Sequence, residues 1–141
     1  MQVLASWCGP GRAPRLLEDA RPDAAVARGA ATIAQVEATN RRVCEVVRAE
    51  AGVEIDGVYY CPYHPKGTVA PWNVEHAWRK PGPGMVLAAA EEMGLDLGRS
   101  WMIGDAERDI EAAVTAGIDR ARTVRVTEGV SFLDAARRVL A

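Results

Sequence analysis

Two carboxylates four residues apart, Asp105 and Asp109, follow the apolar run Trp101-Met102-Ile103 through a single glycine, Gly104. At the carboxyl end of a strand in a parallel α/β sheet, such residues face the crevice in which ligands bind. The spacing puts the second carboxylate one helical turn beyond the first, on the same face. Mg²⁺ is held by one or two carboxylates together with phosphate and water, and this pair suits it. The same pair also suits a plain helix start, where carboxylates cap and complement the positive end. Arg79 and Lys80 adjoin Pro81 just ahead of another helix signal. Adjacent cations there can clamp a phosphate, Arg through its planar fork and Lys as a point charge, or can be part of a solvated surface.

Cys61, His64 and His76 raise the question of zinc. Structural zinc needs four nitrogen or sulfur ligands at set spacing, and Tyr63 and Trp78 occupy other candidate slots. Three scattered ligands lacking a fourth argue for no metal in this loop. Trp7-Cys8-Gly9-Pro10-Gly11 imitates a thioredoxin active site, with Gly11 where the resolving cysteine belongs. Without the second thiol, disulfide exchange is not available, and a thioredoxin-like module is the weakest reading.

Elements that could position these groups recur along the chain. Thr32 and Gln35 have capping-box spacing ahead of Ile33, Val36, Val43 and Val47, and Gly52 stops that helix. Ile55 to Tyr60 is β-branched and aromatic and predicts a strand. A long Pro-, Gly- and His-bearing loop follows from Pro62 to Trp78, a length typical of functional loops. Met85 to Met93 reads as a helix closed by Gly94, Ser100 to Ile103 as a short buried strand, and Ala106 to Ala116 as an amphipathic helix stopped by Gly117. Thr123 to Val126 is strand-like, and Ser131 caps a last helix to Leu140. Alternating strands and helices predict an α/β fold with a mostly parallel sheet. Residues 1–25, broken by Pro10, Pro14 and Pro22, support at most a short strand at Val3 to Ala5 and otherwise read as irregular.

The whole-chain arithmetic agrees with one small globular domain of 141 residues, 49% hydrophobic and 26% charged. Seventeen Lys and Arg against 19 Asp and Glu leave a net charge of −2, which argues against nucleic acid as a partner. No apolar run reaches the roughly 18 residues of a membrane span, and no signal peptide opens the chain. Three cysteines do not make a disulfide scaffold, and a reduced, cytoplasmic setting is expected. Oligomeric state is not legible: a monomer or an unspecified oligomer fits equally.

Taken together, Ala27-Arg28-Gly29, Thr32 with Val36-Glu37 and Asn40-Arg41-Arg42, Tyr59 through Pro65, Arg79 through Met85, and Ile103-Gly104-Asp105 through Gly117 resemble the haloacid-dehalogenase (HAD) superfamily. Within it they are most similar to the heptose 1,7-bisphosphate and histidinol-phosphate phosphatases. The resemblance covers about two thirds of the chain. It implies a Rossmann-like parallel sheet flanked by helices and a Mg²⁺-dependent phosphomonoester hydrolysis through an aspartyl phosphate. It matches Lys80 to the lysine that neutralises the transferring group, Asp105 to the magnesium aspartate, Asp109 to the following acidic position and a possible second ligand, and Arg79 to a substrate-binding arginine. The implied partner is a small phosphorylated sugar.

Three departures are as informative. No Asp-x-Asp occurs in the 141 residues, although the family's nucleophile lies in such a block at the end of its central strand. Glu54-Ile55-Asp56-Gly57 imitates the block at the wrong place. Arg21 to Ala25 stands where the family reads Thr-Asn-Gln-Ser-Gly. In the loop that binds zinc in many members through Cys-x-His and Cys-x-Cys, Tyr63, His76 and Trp78 fill three of the four places, which implies a zinc-free branch. The expectation is therefore a partial HAD-like domain over residues 26–141 lacking the central nucleophile strand, after an unrelated segment at 1–25. The resemblance thus implies a chain that is N-terminally incomplete or frame-altered, expected to be inert by itself or to act as a non-catalytic phosphate-binding remnant.

Overall fold

A computed structural model describes residues 2–6, 22–52, 54–127 and 132–140. The chain divides into two compact units, one of residues 1–15 and 77–141, the other of residues 16–76.

The first unit is built on a parallel sheet ordered β1-β2-β3: β1 Gln2–Ser6, β2 Ser100–Gly104 and β3 Thr123–Arg125. Gln2 pairs with Ser100 and Ser6 with Gly104 along one side of β2, and Met102 with Thr123 and Gly104 with Arg125 along the other. Helix α3 (Gly84–Met93) precedes β2, α4 (Glu107–Ala116) connects β2 to β3, and α5 (Phe132–Leu140) follows. Successive residues of a strand point to opposite faces. Met102 accordingly joins Val86, Ala113 and Ile118 on one side, while Ile103 joins Ala135 and Val139 on the other. Covering on both faces explains why β2 is apolar without alternation. Ser100, the one polar exception at its start, is fully buried and donates from Oγ to the Asp96 carbonyl at 2.7 Å.

The expected helices and the two later strands are found within a residue or two of their sequence-derived limits; Ser131 lies outside the described residues. Two expectations need correcting. In residues 1–25 the short strand allowed at Val3 to Ala5 is present as β1 and one residue longer at each end, and what the irregular reading missed is the helical turn Pro22–Ala25, α1. Where the central nucleophile strand was expected to be lacking, β1 pairs with β2, through a strand that carries no aspartate. Ile55 to Tyr60 is not a strand either. It has no ladder partner among the described residues, and Ile55 and Val58 are 40% and 46% exposed.

In the second unit, α2 (Ile33–Ala51) carries the capping box that its sequence announces. Thr32 Oγ1 accepts from the Gln35 amide at 3.2 Å, and Gln35 Oε1 accepts from the Thr32 amide at 2.9 Å. Gly52 ends the helix at φ 65°, a left-handed conformation that a residue with a Cβ adopts only with strain. Residues Ala24 to Ala27 are buried, and the Ala27 carbonyl accepts from both Thr68 and Val69 amides, at 2.7 and 3.0 Å. Gly67 lies so close to Ala27 that a Cβ would stand 2.6 Å from the Ala27 carbonyl oxygen. No helix among the described residues is long and apolar enough to cross a membrane.

Candidate active site

Everything at the carboxyl end of β2 turns on how Gly104 lets the chain pass into α4. A Cβ on Gly104 would stand 2.5 Å from Asp109 Cβ, so the strand end and the first turn of α4 touch backbone to side chain. Asp109 sits at the third position of that helix. Its Oδ2 accepts from the Ala106 amide at 2.9 Å, satisfying one of the donors that a helix start leaves open. Its Oδ1 accepts from Lys80 Nζ at 2.6 Å.

This ion pair is buried, with side-chain exposures of 9% for Lys80 and 0% for Asp109. Two charges removed from water are tolerated only when geometry is good and the remaining lone pairs are satisfied, as Ala106 does here. The segment that delivers Lys80 is tightly turned. The Gly82 amide donates to the Arg79 carbonyl at 2.9 Å and the Gly84 amide to the Ala77 carbonyl at 3.2 Å. A Cβ on Gly84 would run into the Ala77 carbonyl. Arg79 and Asp105 are both partly buried, and Asp105 Oδ1 is wholly so.

Lys80 and Asp109, which the sequence related only through the family resemblance, meet directly in the structure. The partnership itself, across 29 residues, was not legible. The expectation for Asp109 as a possible magnesium ligand meets a carboxylate whose two oxygens already serve Lys80 and Ala106. For Asp105, the donor chemistry fits magnesium: a buried carboxylate oxygen is a hard ligand, and Mg²⁺ needs only one or two of them beside phosphate and water. No three His, Cys, Asp or Glu side chains converge as a metal cage among the described residues.

One cluster went unread in the sequence. Glu107, at the first position of α4, accepts from Arg120 at 2.8 Å and from Arg125 at 3.3 Å. Arg125 is the β3 residue paired with Gly104, so pairing register alone brings it here. The Arg120 hydrogen bond, with the charges of both arginines, holds the Glu107 carboxyl below the usual glutamate range. A depressed carboxyl contributes stability above its unfolded pKa and loses it as pH falls through the folded value. In an NMR titration, Glu107 should thus show a midpoint below that of exposed glutamates, about 4.3. Arg120→Ala should raise it, and an unchanged midpoint would refute the coupling.

Cys61, His64 and His76 lie in the second unit and do not form a ligand cluster. Cys61 Sγ donates to the Tyr63 carbonyl at 3.8 Å, His64 Nδ1 accepts from the Lys66 amide at 3.1 Å, and the His76 ring stacks on Tyr63. Cys8 falls outside the described residues.

The HAD-hydrolase-like family model matches residues 77–139, which span Lys80, Asp105 and Asp109 together with α3, β2, α4 and β3. This segment is HAD-hydrolase-like. A crystal structure from Mesorhizobium loti described as a HAD-like phosphatase superposes with a TM-score of 0.63 at 40% identity, over 68% of this chain and 46% of that one. A D-glycero-alpha-D-manno-heptose-1,7-bisphosphate 7-phosphatase of Burkholderia mallei is 51% identical over 72 residues, which are 51% of this chain and 38% of the relative. The corresponding beta-heptose enzyme of Escherichia coli K12 is 38% identical over 106 residues, 75% of this chain and 55% of the relative. The chain spans about half the length of the curated relatives it matches. The HAD-like fold expected from the sequence is therefore present, and the similarity falls on phosphatases.

Proposed function

We propose that this chain carries the lysine and metal-aspartate portion of a phosphomonoester hydrolase acting on a heptose 1,7-bisphosphate type of sugar phosphate. The observation that carries the reading is the buried Lys80–Asp109 pair at the start of the helix that follows Asp105, in a segment similar to phosphatases. Asp109 is a positioning residue: it fixes the Lys80 ammonium, the charge that would face a phosphoryl oxygen. Arg79 binds the substrate phosphate through its fork. Asp105 is the residue that would hold Mg²⁺, which when bound supplies neutralisation of phosphoryl charge.

What the sequence lacks is the Asp-x-Asp block that the resemblance implies as acceptor. Aspartyl-phosphate chemistry needs a carboxylate nucleophile, and the strand flanking β2, Gln2-Val3-Leu4-Ala5-Ser6, has none; nor do the 141 residues contain Asp-x-Asp. Binding without turnover by this chain alone follows, unless a second polypeptide supplies the acceptor.

Calorimetry of the folded chain with heptose 1,7-bisphosphate and Mg²⁺ tests both halves. Saturable binding is expected, displaced by inorganic phosphate and weakened about tenfold by Arg79→Ala, the scale of one charge-assisted contact. Phosphate release should stay at background. A folded chain that binds no sugar phosphate would sink the reading, and Lys80-dependent release of phosphate would sink the claim of inertness.

A further inference from the structure

The loop at residues 61–76 is where the resemblance implies zinc, and its residues do not fit that metal. The four implied places hold Cys61, Tyr63, His76 and Trp78. Only two of these offer the sulfur or nitrogen that structural zinc takes, and an indole N–H donates but cannot ligate. The structure shows what the loop has instead. Tyr63 and His76 stack with ring centroids 4.2 Å apart and planes 8° from parallel, and Trp72 tilts against Tyr63 at 5.2 Å. The turn between them is closed by the His64 amide donating to the Trp72 carbonyl at 2.9 Å, and by the Gly67 amide donating to the His64 carbonyl, also at 2.9 Å. Cys61 is buried, 3% exposed, and its thiol donates to the Tyr63 carbonyl at 3.8 Å.

We propose that the Tyr63–His76 stack, buttressed by Trp72, closes this loop in place of a metal, and that the loop holds no structural zinc. Each ring occupies a position where a zinc ligand would have to turn inward. The same two chain ends that a metal would join, near residue 61 and near residue 76, are joined through ring faces. A stack of this kind is attractive in its own right, beyond the apolar area it buries. It keeps Cys61 beneath the turn as a protected thiol.

The test uses the 141-residue chain with Cys8→Ser and Cys44→Ser, leaving Cys61 as the sole thiol. The chain as purified should carry no stoichiometric zinc, and added Co²⁺ should give no thiolate charge-transfer band. The reaction of Cys61 with a disulfide reagent should be slow and unaffected by EDTA. Tyr63→Ala and His76→Ala should each accelerate it about tenfold, the factor corresponding to loss of one aromatic pair, whereas Tyr63→Phe should keep the parent rate. Stoichiometric zinc, a cobalt–thiolate band or EDTA-sensitive reactivity would overturn the proposal. So would Tyr63→Ala and His76→Ala chains in which Cys61 stays as slow as in the parent. The metal readouts are made without touching the ring residues, so they stand even where a variant fails to fold.

Discussion

Replacing Lys80 by Met should destabilise the first unit by about 3–5 kcal/mol in denaturant unfolding, the range for removing one member of a buried ion pair. The reason lies in what is left behind. Asp109 is fully buried, and without the ammonium 2.6 Å away its charge loses its closest compensating cation while keeping the Ala106 amide. The cost is therefore that of a stranded charge, not the net worth of the pair. Combining Lys80→Met with Asp109→Leu should recover more than half of the loss, since two apolar groups replace two charges. The double variant should still give up about 1 kcal/mol because the helix start loses its side-chain acceptor. A Lys80→Met chain within 1 kcal/mol of the parent would mean that water reaches Asp109, and the burial argued above would be wrong.

Gly104→Ala should also be strongly destabilising, by about 2–3 kcal/mol on the scale of core overpacking. The sign is the informative part, because a glycine to alanine change in an unstrained backbone ordinarily stabilises by restricting the unfolded chain. Here the new methyl would lie 2.5 Å from Asp109 Cβ and 3.1 Å from Asp109 Oδ2. Neither side can yield easily. Gly104 is paired with Ser6 on one flank and Arg125 on the other, and its carbonyl accepts from the Val126 amide at 2.8 Å. Asp109 would be displaced instead, carrying Lys80 with it, so binding of inorganic phosphate should fall about tenfold or more together with stability. A variant that gains stability, or keeps phosphate affinity while losing stability, would separate Gly104 from the site.

These two positions differ in how far they could be read in advance. Gly104-Asp105 and Asp109 announced themselves because strand end, glycine and carboxylates are local, although the expected shared helical face is not found: Asp105 lies ahead of α4, before the extended cap residue Ala106. The helices were legible for the same reason: Thr32 with Gln35, and Gly52, Gly94 and Gly117 as stops, act within one turn of chain. Ile55 to Tyr60 misled because β-branched and aromatic residues favour a strand only where a neighbouring strand exists to pair with. Gln2 to Ser6 was underestimated for the complementary reason. Its pairing with Ser100 to Gly104 spans almost a hundred residues, a separation on which propensity is silent.

Short-range order, then, belongs to the chain's own pattern: helix limits, the apolar buried strand, the absence of an Asp-x-Asp acceptor, and the residue types at the carboxyl end of β2. Long-range choices came from the folded molecule. Packing decided that Asp109 answers Lys80 across 29 residues, that Arg125 reaches Glu107 through strand register, and that His76 lies on Tyr63. A side chain's neighbours in sequence are set by covalent geometry, whereas its partners in space are selected by the free energy of burying the whole unit.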